Sequence, residues 1–307
     1  MELTQPPQRA IALGFFDGIH RGHGMLMQKA LERAQEKQLT PAVFTFDRHP
    51  SDLYADTPVA LINSAEDRAD LIHRLYGIDD VIFSHFDEAM MRMPWEDFID
   101  KMLYEDYHAR HLVCGEDFHF GYRGEGNPER LRARCAELGI ACDVIPLMEI
   151  NGIKVGSTYI RTLLLKGDME QAAKFLGHPH CLSHTVEHGK RLGSSIGIPT
   201  VNLTIPPHVL TPAHGVYATR VQIGRRSYPG VTNIGVRPTV EDSNRVTVET
   251  FILDFNGDLY GETIRVDFYQ RLRTEKRFPS LEALKQQIER DMNSTRSYFS
   301  THHTYTP

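Results

Sequence analysis

Up to about residue 177 the chain alternates short apolar runs with helical patterns, and beyond that point the rhythm changes. Ala10 to Leu13 reads as a strand and Gly22 to Lys37 as a helix, with Leu26, Met27, Ala30, Leu31 and Ala34 on one face. Ala42 to Phe46, Val81 to Phe83, His111 to Cys114 and Ile140 to Ile145 read as further strands. Between them fall three helices. One runs from Ser64 to Tyr76, with Ser64 and Asp67 spaced as a capping box. One runs from Pro94 to His108 with proline in its first turn, and one is started by Asn127-Pro128 and ended by Gly139. Strand–helix alternation at this spacing predicts a Rossmann-like parallel sheet with helices on both faces. Such sheets bind ligands at the carboxyl ends of their strands.

Two short helices follow, Thr158 to Lys166 and Met169 to Leu176, separated by Gly167-Asp168. From Cys181 to Tyr269 the chain is rich in Val, Ile, Thr and Tyr and punctuated by Gly and Pro, which predicts an antiparallel sandwich or barrel. Asn256-Gly257 reads as a tight turn between Phe251–Leu253 and Leu259–Tyr260. One closing helix is expected from Leu281 to Met292, with Leu281, Leu284, Ile288 and Met292 on its buried side. The 307 residues fit two domains of about 150 residues each. Their boundary is placed at Gly177 to Leu182, giving residues 1–178 and 183–307.

Hydrophobic residues at 41% and charged residues at 24% describe an ordinary globular chain. A net charge of −6 gives no general polyanion-binding surface, so nucleic acid is not an expected partner. No apolar run approaches the roughly 20 residues of a membrane span, the first residues lack the apolar core of a signal peptide, and a cytoplasmic location is expected. Cys114, Cys135, Cys142 and Cys181 form no Cys-x-x-Cys pair and read as reduced thiols.

The most informative segment is Gly14-Phe15-Phe16-Asp17-Gly18-Ile19-His20-Arg21-Gly22-His23. It places two histidines three residues apart where a strand gives way to a helix, and a helix mouth already favours anions. Gly14 and Gly18 let the backbone approach a bulky ligand. The imidazoles can donate to phosphates and stabilise charge as pyrophosphate leaves. If the nucleophile is itself a phosphate, no general base is needed. Ser157-Thr158-Tyr159-Ile160-Arg161 opens a later helix with two hydroxyls and an arginine able to fork a phosphate. No Walker A pattern and no Gly-x-Gly-x-x-Gly occurs, so an ATP site here is not a P-loop.

The two segments together resemble the cytidylyltransferase-like nucleotidylyltransferases. Class I aminoacyl-tRNA synthetases share the first, but their Lys-Met-Ser-Lys-Ser-like loop is absent. Phe46-Asp47-Arg48-His49-Pro50 and Gly115-Glu116-Asp117-Phe118-His119-Phe120-Gly121 narrow the likeness to the FMN adenylyltransferase module of prokaryotic bifunctional riboflavin kinase/FAD synthetases. The resemblance implies that His20, His23, Ser157, Thr158 and Arg161 handle the triphosphate of ATP. Gly14, Phe15, Asp17 and Gly18 would then lie along the nucleotide, and Phe46 and Asp117 beside FMN. The family often has serine where Gly156 stands and proline where Arg48 stands.

The second half carries its own signature. Gly197-Ile198-Pro199-Thr200-Val201-Asn202 resembles the Gly-x-Pro-Thr-Ala-Asn segment of riboflavin kinase, with valine for alanine. In a strand Thr200 and Asn202 point the same way, and their neutral oxygens with ATP phosphates suit Mg2+. Gly189-Lys190-Arg191-Leu192-Gly193 is a glycine-bounded basic loop able to cover phosphates, and Pro199 belongs to the same ATP-binding set. A ribityl hydroxyl has a high pKa and benefits from a positioned carboxylate, for which Glu249 is the candidate. Leu272-Arg273-Thr274-Glu275 continues the match, with Arg273 implied at the flavin. The resemblance thus implies a kinase barrel with a closing helix, substrates ATP, riboflavin and FMN, and magnesium.

Overall fold

The computed structural model describes residues 6–186, 200–236 and 246–302. Strand β1 (Arg9–Leu13) lies at the centre of an all-parallel sheet with β2 (Thr40–Phe46), β3 (Asp80–Ser84), β4 (Ala109–Gly115) and β5 (Ala141–Ile145). Their spatial order is β3-β2-β1-β4-β5. Ala10, Ile11 and Ala12 have no exposed surface, as a strand covered on both faces requires. The order reverses between β1 and β4, where chain leaves the sheet in opposite directions and opens a crevice beyond the strand ends.

The connecting helices are α1 (Arg21–Lys37), α2 (Ala65–Tyr76), α3 (Glu88–Met91), α4 (Trp95–Asp97) and α5 (Pro128–Glu137). The expected caps form: Ser64 Oγ accepts from the Asp67 N–H at 3.0 Å, and Asn127 Oδ1 from the Arg130 N–H at 2.9 Å. The helix expected from Pro94 to His108 keeps α geometry only over α4, and Phe98–Asp106 is wound as a π-helix. That wider winding gathers Phe98, Ile99 and Leu103, offset by one and five residues, on one buried side.

The tight Asn-Gly reversal is not where the sequence places it. β6 (Glu149–Ile150) and β7 (Ile153–Lys154) form a hairpin closed by Asn151 and Gly152, both at positive φ (53° and 74°), the requirement of a type I′ turn. Asn256-Gly257 instead lies in a longer loop, and Leu259–Tyr260 is not a strand.

After α6 (Ser157–Lys166) and α7 (Met169–Leu176) comes the second sheet. It comprises β8 (His180–Thr185), β9 (Thr200–Leu203), β10 (Gly215–Ile223), β11 (Arg226–Val236), β12 (Val246–Ile252) and β13 (Thr263–Arg273). All its pairings are antiparallel, in the order β8-β13-β10-β11-β12-β9, and the sheet curls into a half-barrel. Its concave face buries Leu182, Leu203, Tyr217, Ile234, Val248, Val266 and Phe268. Among these apolar groups Thr219, Thr232 and Thr250 form a hydroxyl ladder across three strands, with Oγ1–Oγ1 distances of 2.8 and 2.9 Å. Each buried hydroxyl thereby finds a partner in an apolar interior.

The closing helix α8 (Leu281–Thr301) is longer than the sequence suggests and is anchored differently. Leu281 is 55% exposed, and the buried positions are Asp291 and Thr295. Met292 packs against Val216, Val231 and Leu253, with Phe251 and Leu272 alongside. Asp291 grips Arg273, with Nη2–Oδ2 2.9 Å and Nε–Oδ2 3.0 Å. Hydrophobic periodicity cannot register an acid whose burial depends on a partner eighteen residues away.

By contacts the chain divides into two units. One is Met1–Leu61 with Arg68–Gly156, the other Ile62–Asp67 with Ser157–Pro307. Helices α6 and α7 therefore group with the half-barrel.

Candidate active sites

In the first unit the turn between β1 and α1 is held in an unusual shape. Phe16 (φ 56°), Gly18 (φ 85°) and Ile19 (φ 43°) all occupy the left-handed region. For Phe16 and Ile19 that conformation costs about 1–3 kcal/mol each, so the surroundings must fix it. They do so through backbone groups. The Gly14 N–H donates to the Phe44 carbonyl at 3.2 Å, and the Phe15 carbonyl accepts from Thr45 Oγ1 at 2.8 Å and Arg68 Nη1 at 2.9 Å.

His20 caps α1: its Nδ1 accepts from the His23 N–H at 3.2 Å. Accepting there puts the ring proton on Nε2. The His20 and His23 rings stack with centroids 3.5 Å apart, and Phe16 meets His23 edge-on at 5.1 Å. Burial, and then the charges of His20 and Arg68, hold the His23 imidazole well below its ordinary pKa. It is neutral at pH 7, and its Nδ1 is buried with no hydrogen-bond partner among the described residues. Asp17 is buried in the same turn.

The segment after β2 converges on this turn. His49 packs edge-on against Phe15 at 4.8 Å. Arg48 Nη2 lies 2.8 Å from His85 Nε2, while His85 Nδ1 donates to Asp47 at 2.6 Å. Burial pushes the Asp47 carboxyl up, but the bonds from His85 and the Phe86 N–H prevail and lower it. Phe46 packs against Phe44 and Phe86 at the edge of the core, and Asp117 pairs with Lys154 at 3.0 Å. These contacts run to core aromatics and to Lys154 rather than to the His20–His23 pair.

Ser157, Thr158 and Arg161 occupy the first turns of α6, as expected, but that helix is counted with the second unit. Gly156 precedes it, and a β-carbon there would meet nothing within 4 Å, so a serine would fit.

In the second unit the site is assembled by register. Glu249 stands directly opposite Asn202 on β9 and Asn233 on β11, and Phe251 opposite Thr200. Directly paired residues share a face, so Thr200, Asn202, Glu249 and Asn233 present their side chains together. Asn233 lies in a segment, Val231 to Thr239, that resembles the kinase pattern, but only the strand pairing sets it opposite Glu249. Beside it, a β-carbon on Gly235 would collide with Glu275 Oε1, so glycine there admits that carboxylate to the same face. A cleft next to Thr200 is lined by Val186, Ile252, Phe255, Leu259 and Tyr260. Arg273, expected at a flavin, is forked on Asp291 and also donates to the Thr274 carbonyl at 3.2 Å. Gly189, Lys190, Arg191, Gly193 and Pro199 lie outside the described residues.

A helix mouth aimed beyond a parallel sheet's switch point, followed by a half-barrel face that sets a carboxylate among hard oxygen donors, defines an enzyme that transfers phosphorus-containing groups. Comparison with known proteins makes this specific. An FAD synthetase family model matches residues 3–159, and a riboflavin kinase model matches 176–299. The Escherichia coli K12 bifunctional riboflavin kinase/FMN adenylyltransferase is 35% identical over 97% of this chain and 95% of its own. Its counterpart in Listeria monocytogenes is 33% identical over 95% and 93%. A solved structure described as a macrolide-efflux protein from Streptococcus pneumoniae superposes with a TM-score of 0.82 at 29% identity, covering 94% of each chain. The chain belongs to the bifunctional riboflavin kinase/FMN adenylyltransferase family. Among the described residues no helix is long and apolar enough to cross a membrane.

Proposed function

We propose that the chain makes FAD from riboflavin in two ATP-dependent steps, with residues 183–307 as the kinase and 1–178 as the adenylyltransferase. In the first step a ribityl hydroxyl attacks the γ-phosphorus of ATP, its proton passes to Glu249, and ADP leaves. The observation that carries this assignment is the cross-strand grouping of Asn202, Glu249 and Asn233 on one face. The hydroxyl of Thr200 and the amide oxygen of Asn202 are hard neutral donors two residues apart on one strand, a set that fits Mg2+. Magnesium, when bound, neutralises phosphate charge. The loop of Gly189, Lys190, Arg191 and Gly193, with Pro199, would cover the phosphates, and Arg273 would border the flavin.

In the second step a phosphate oxygen of FMN attacks the α-phosphorus of another ATP and pyrophosphate leaves. That nucleophile is already ionised, so the site requires donors rather than a base. His20 offers Nε2–H, fixed by its cap, and His23 offers a neutral imidazole. Ser157, Thr158 and Arg161 would complete the triphosphate site, with Gly14, Phe15, Asp17 and Gly18 along the nucleotide, and Phe46 and Asp117 toward FMN. The substrates are small molecules, and the location is the cytoplasm.

The test is incubation of the purified protein with Mg-ATP and either riboflavin or FMN, followed by chromatography. FAD from both is expected. FMN accumulating without FAD would leave one live site, and tight flavin binding with no ATP consumed would defeat both assignments.

A further inference from the structure

Beneath the β1–α1 turn sits Arg68, a guanidinium on α2 with no exposed surface. Its Nη1 donates to the Phe15 carbonyl at 2.9 Å and to Thr45 Oγ1 at 3.1 Å, and its Nη2 donates to the Phe46 carbonyl at 2.9 Å. Its Cζ lies over the rings of Phe15 and Phe83, 4.9 and 5.3 Å from their centroids. Phe15 ends the exit from β1 and Phe46 ends β2, so one planar cation ties two strand ends together where the site opens. A lysine, with a single nitrogen, cannot reproduce that fork. An apolar side chain would fill the space without desolvating a charge, so packing alone gives no reason for a guanidinium here. The carbonyl it grips belongs to the residue before Phe16, the first of the left-handed residues that carry the chain into His20 and His23.

We propose that Arg68 is a positioning residue for adenylyl transfer, pinning the carbonyls of Phe15 and Phe46 so that the Gly14–Asp17 turn and the paired histidines are held ready for the triphosphate. This rests on the adenylyltransferase reading above. It also gives Arg68 a second effect: after burial and the neighbouring His20, its charge helps to hold the His23 pKa down.

The fork and the charge separate with two variants, Arg68→Lys and Arg68→Gln, each checked for fold by near-UV circular dichroism and melting. In both, kcat for FMN adenylylation should fall about a hundredfold, the scale of an ångström-level misplacement, with KM for ATP far less changed. Riboflavin phosphorylation on the same chain should be unaffected. NMR titration of the His23 ring, assigned with His23→Gln, should move its midpoint upward in Arg68→Gln and leave it in place in Arg68→Lys. A folded variant with unaltered adenylylation overturns the proposal, as does loss of the native near-UV signal in both variants, which would make Arg68 a folding residue. If the parent protein itself makes no FAD from FMN, the proposed function fails on that result alone. The inference rests on that reading and falls with it, whereas unaltered adenylylation in the folded variants of an active parent overturns the inference alone.

Discussion

The two proposed sites make opposite uses of a β-sheet. The first lies beyond the ends of parallel strands and is made largely of backbone groups and a helix mouth. The second lies on the face of antiparallel strands and is made of side chains brought opposite one another by register. The chemistry follows the construction. A phosphate nucleophile needs only fixed donors, which strand ends and helix termini supply. A hydroxyl needs a proton acceptor at a defined place, which a strand-face carboxylate supplies.

The comparison breaks most sharply at Glu249. Glu249→Gln should lower kcat for riboflavin phosphorylation by about 10²–10⁴, the range of a lost general base, and leave FMN-to-FAD conversion intact. Loss of both activities would undo the two-site division. His23→Ala is the converse: FAD formation should fall about 10²-fold, as when one charge-stabilising donor is removed, and FMN should accumulate on the chromatogram. Unchanged FAD output would remove the histidine pair from catalysis.

Two further changes probe stability rather than rate, and only in the half-barrel. Asp291→Ala strands Arg273, whose side chain is 19% exposed against 5% for the acid. Breaking such a pair should cost about 3 kcal/mol in a denaturant titration of the second transition. His180 lies inside the half-barrel with both ring nitrogens lacking a partner among the described residues, and burial, then the His178 charge, pushes its pKa down to about 3. The unfolded chain binds that proton near pH 6.5 and the folded one does not, so stability is full above about 6.5 and falls as pH drops toward 3. At pH 5 the loss should be about 2 kcal/mol, and His180→Leu should flatten the curve. An unchanged slope in that variant would show that another group carries the acid sensitivity.

The same contrast explains what the sequence reveals. In the parallel unit each functional segment directly follows a strand, so Gly14 to His23 and Phe46 to Pro50 are readable as short runs. In the half-barrel, Asn202, Asn233 and Glu249 lie far apart in the chain, and only pairing shows that they meet. Thr200, Asn202 and Glu249 are singled out through family likeness, whereas Asn233 lies in a matching segment, Val231 to Thr239, with no role assigned until the pairing is known. Arg68 left one faint signal, a charge three and four residues before Leu71 and Ile72 on the buried stripe of α2. The Asn-Gly turn shows the limit of dipeptide rules. Asn151-Gly152 makes the hairpin because its flanking residues pair, and Asn256-Gly257 has no flanking strand to close onto.

His20 begins its helix with an imidazole where a serine or aspartate would ordinarily stand. A hydroxyl or carboxylate cap stabilises a helix and says nothing about protons elsewhere. An imidazole cap selects a tautomer in the same act, because the nitrogen that holds the helix end cannot also carry hydrogen. The spacing of His20 and His23 is therefore one constraint with two outputs: an insertion between them would fray the helix and scramble the acid–base identity of its leading ring together. Folding of α1 and readiness of its donor are a single event.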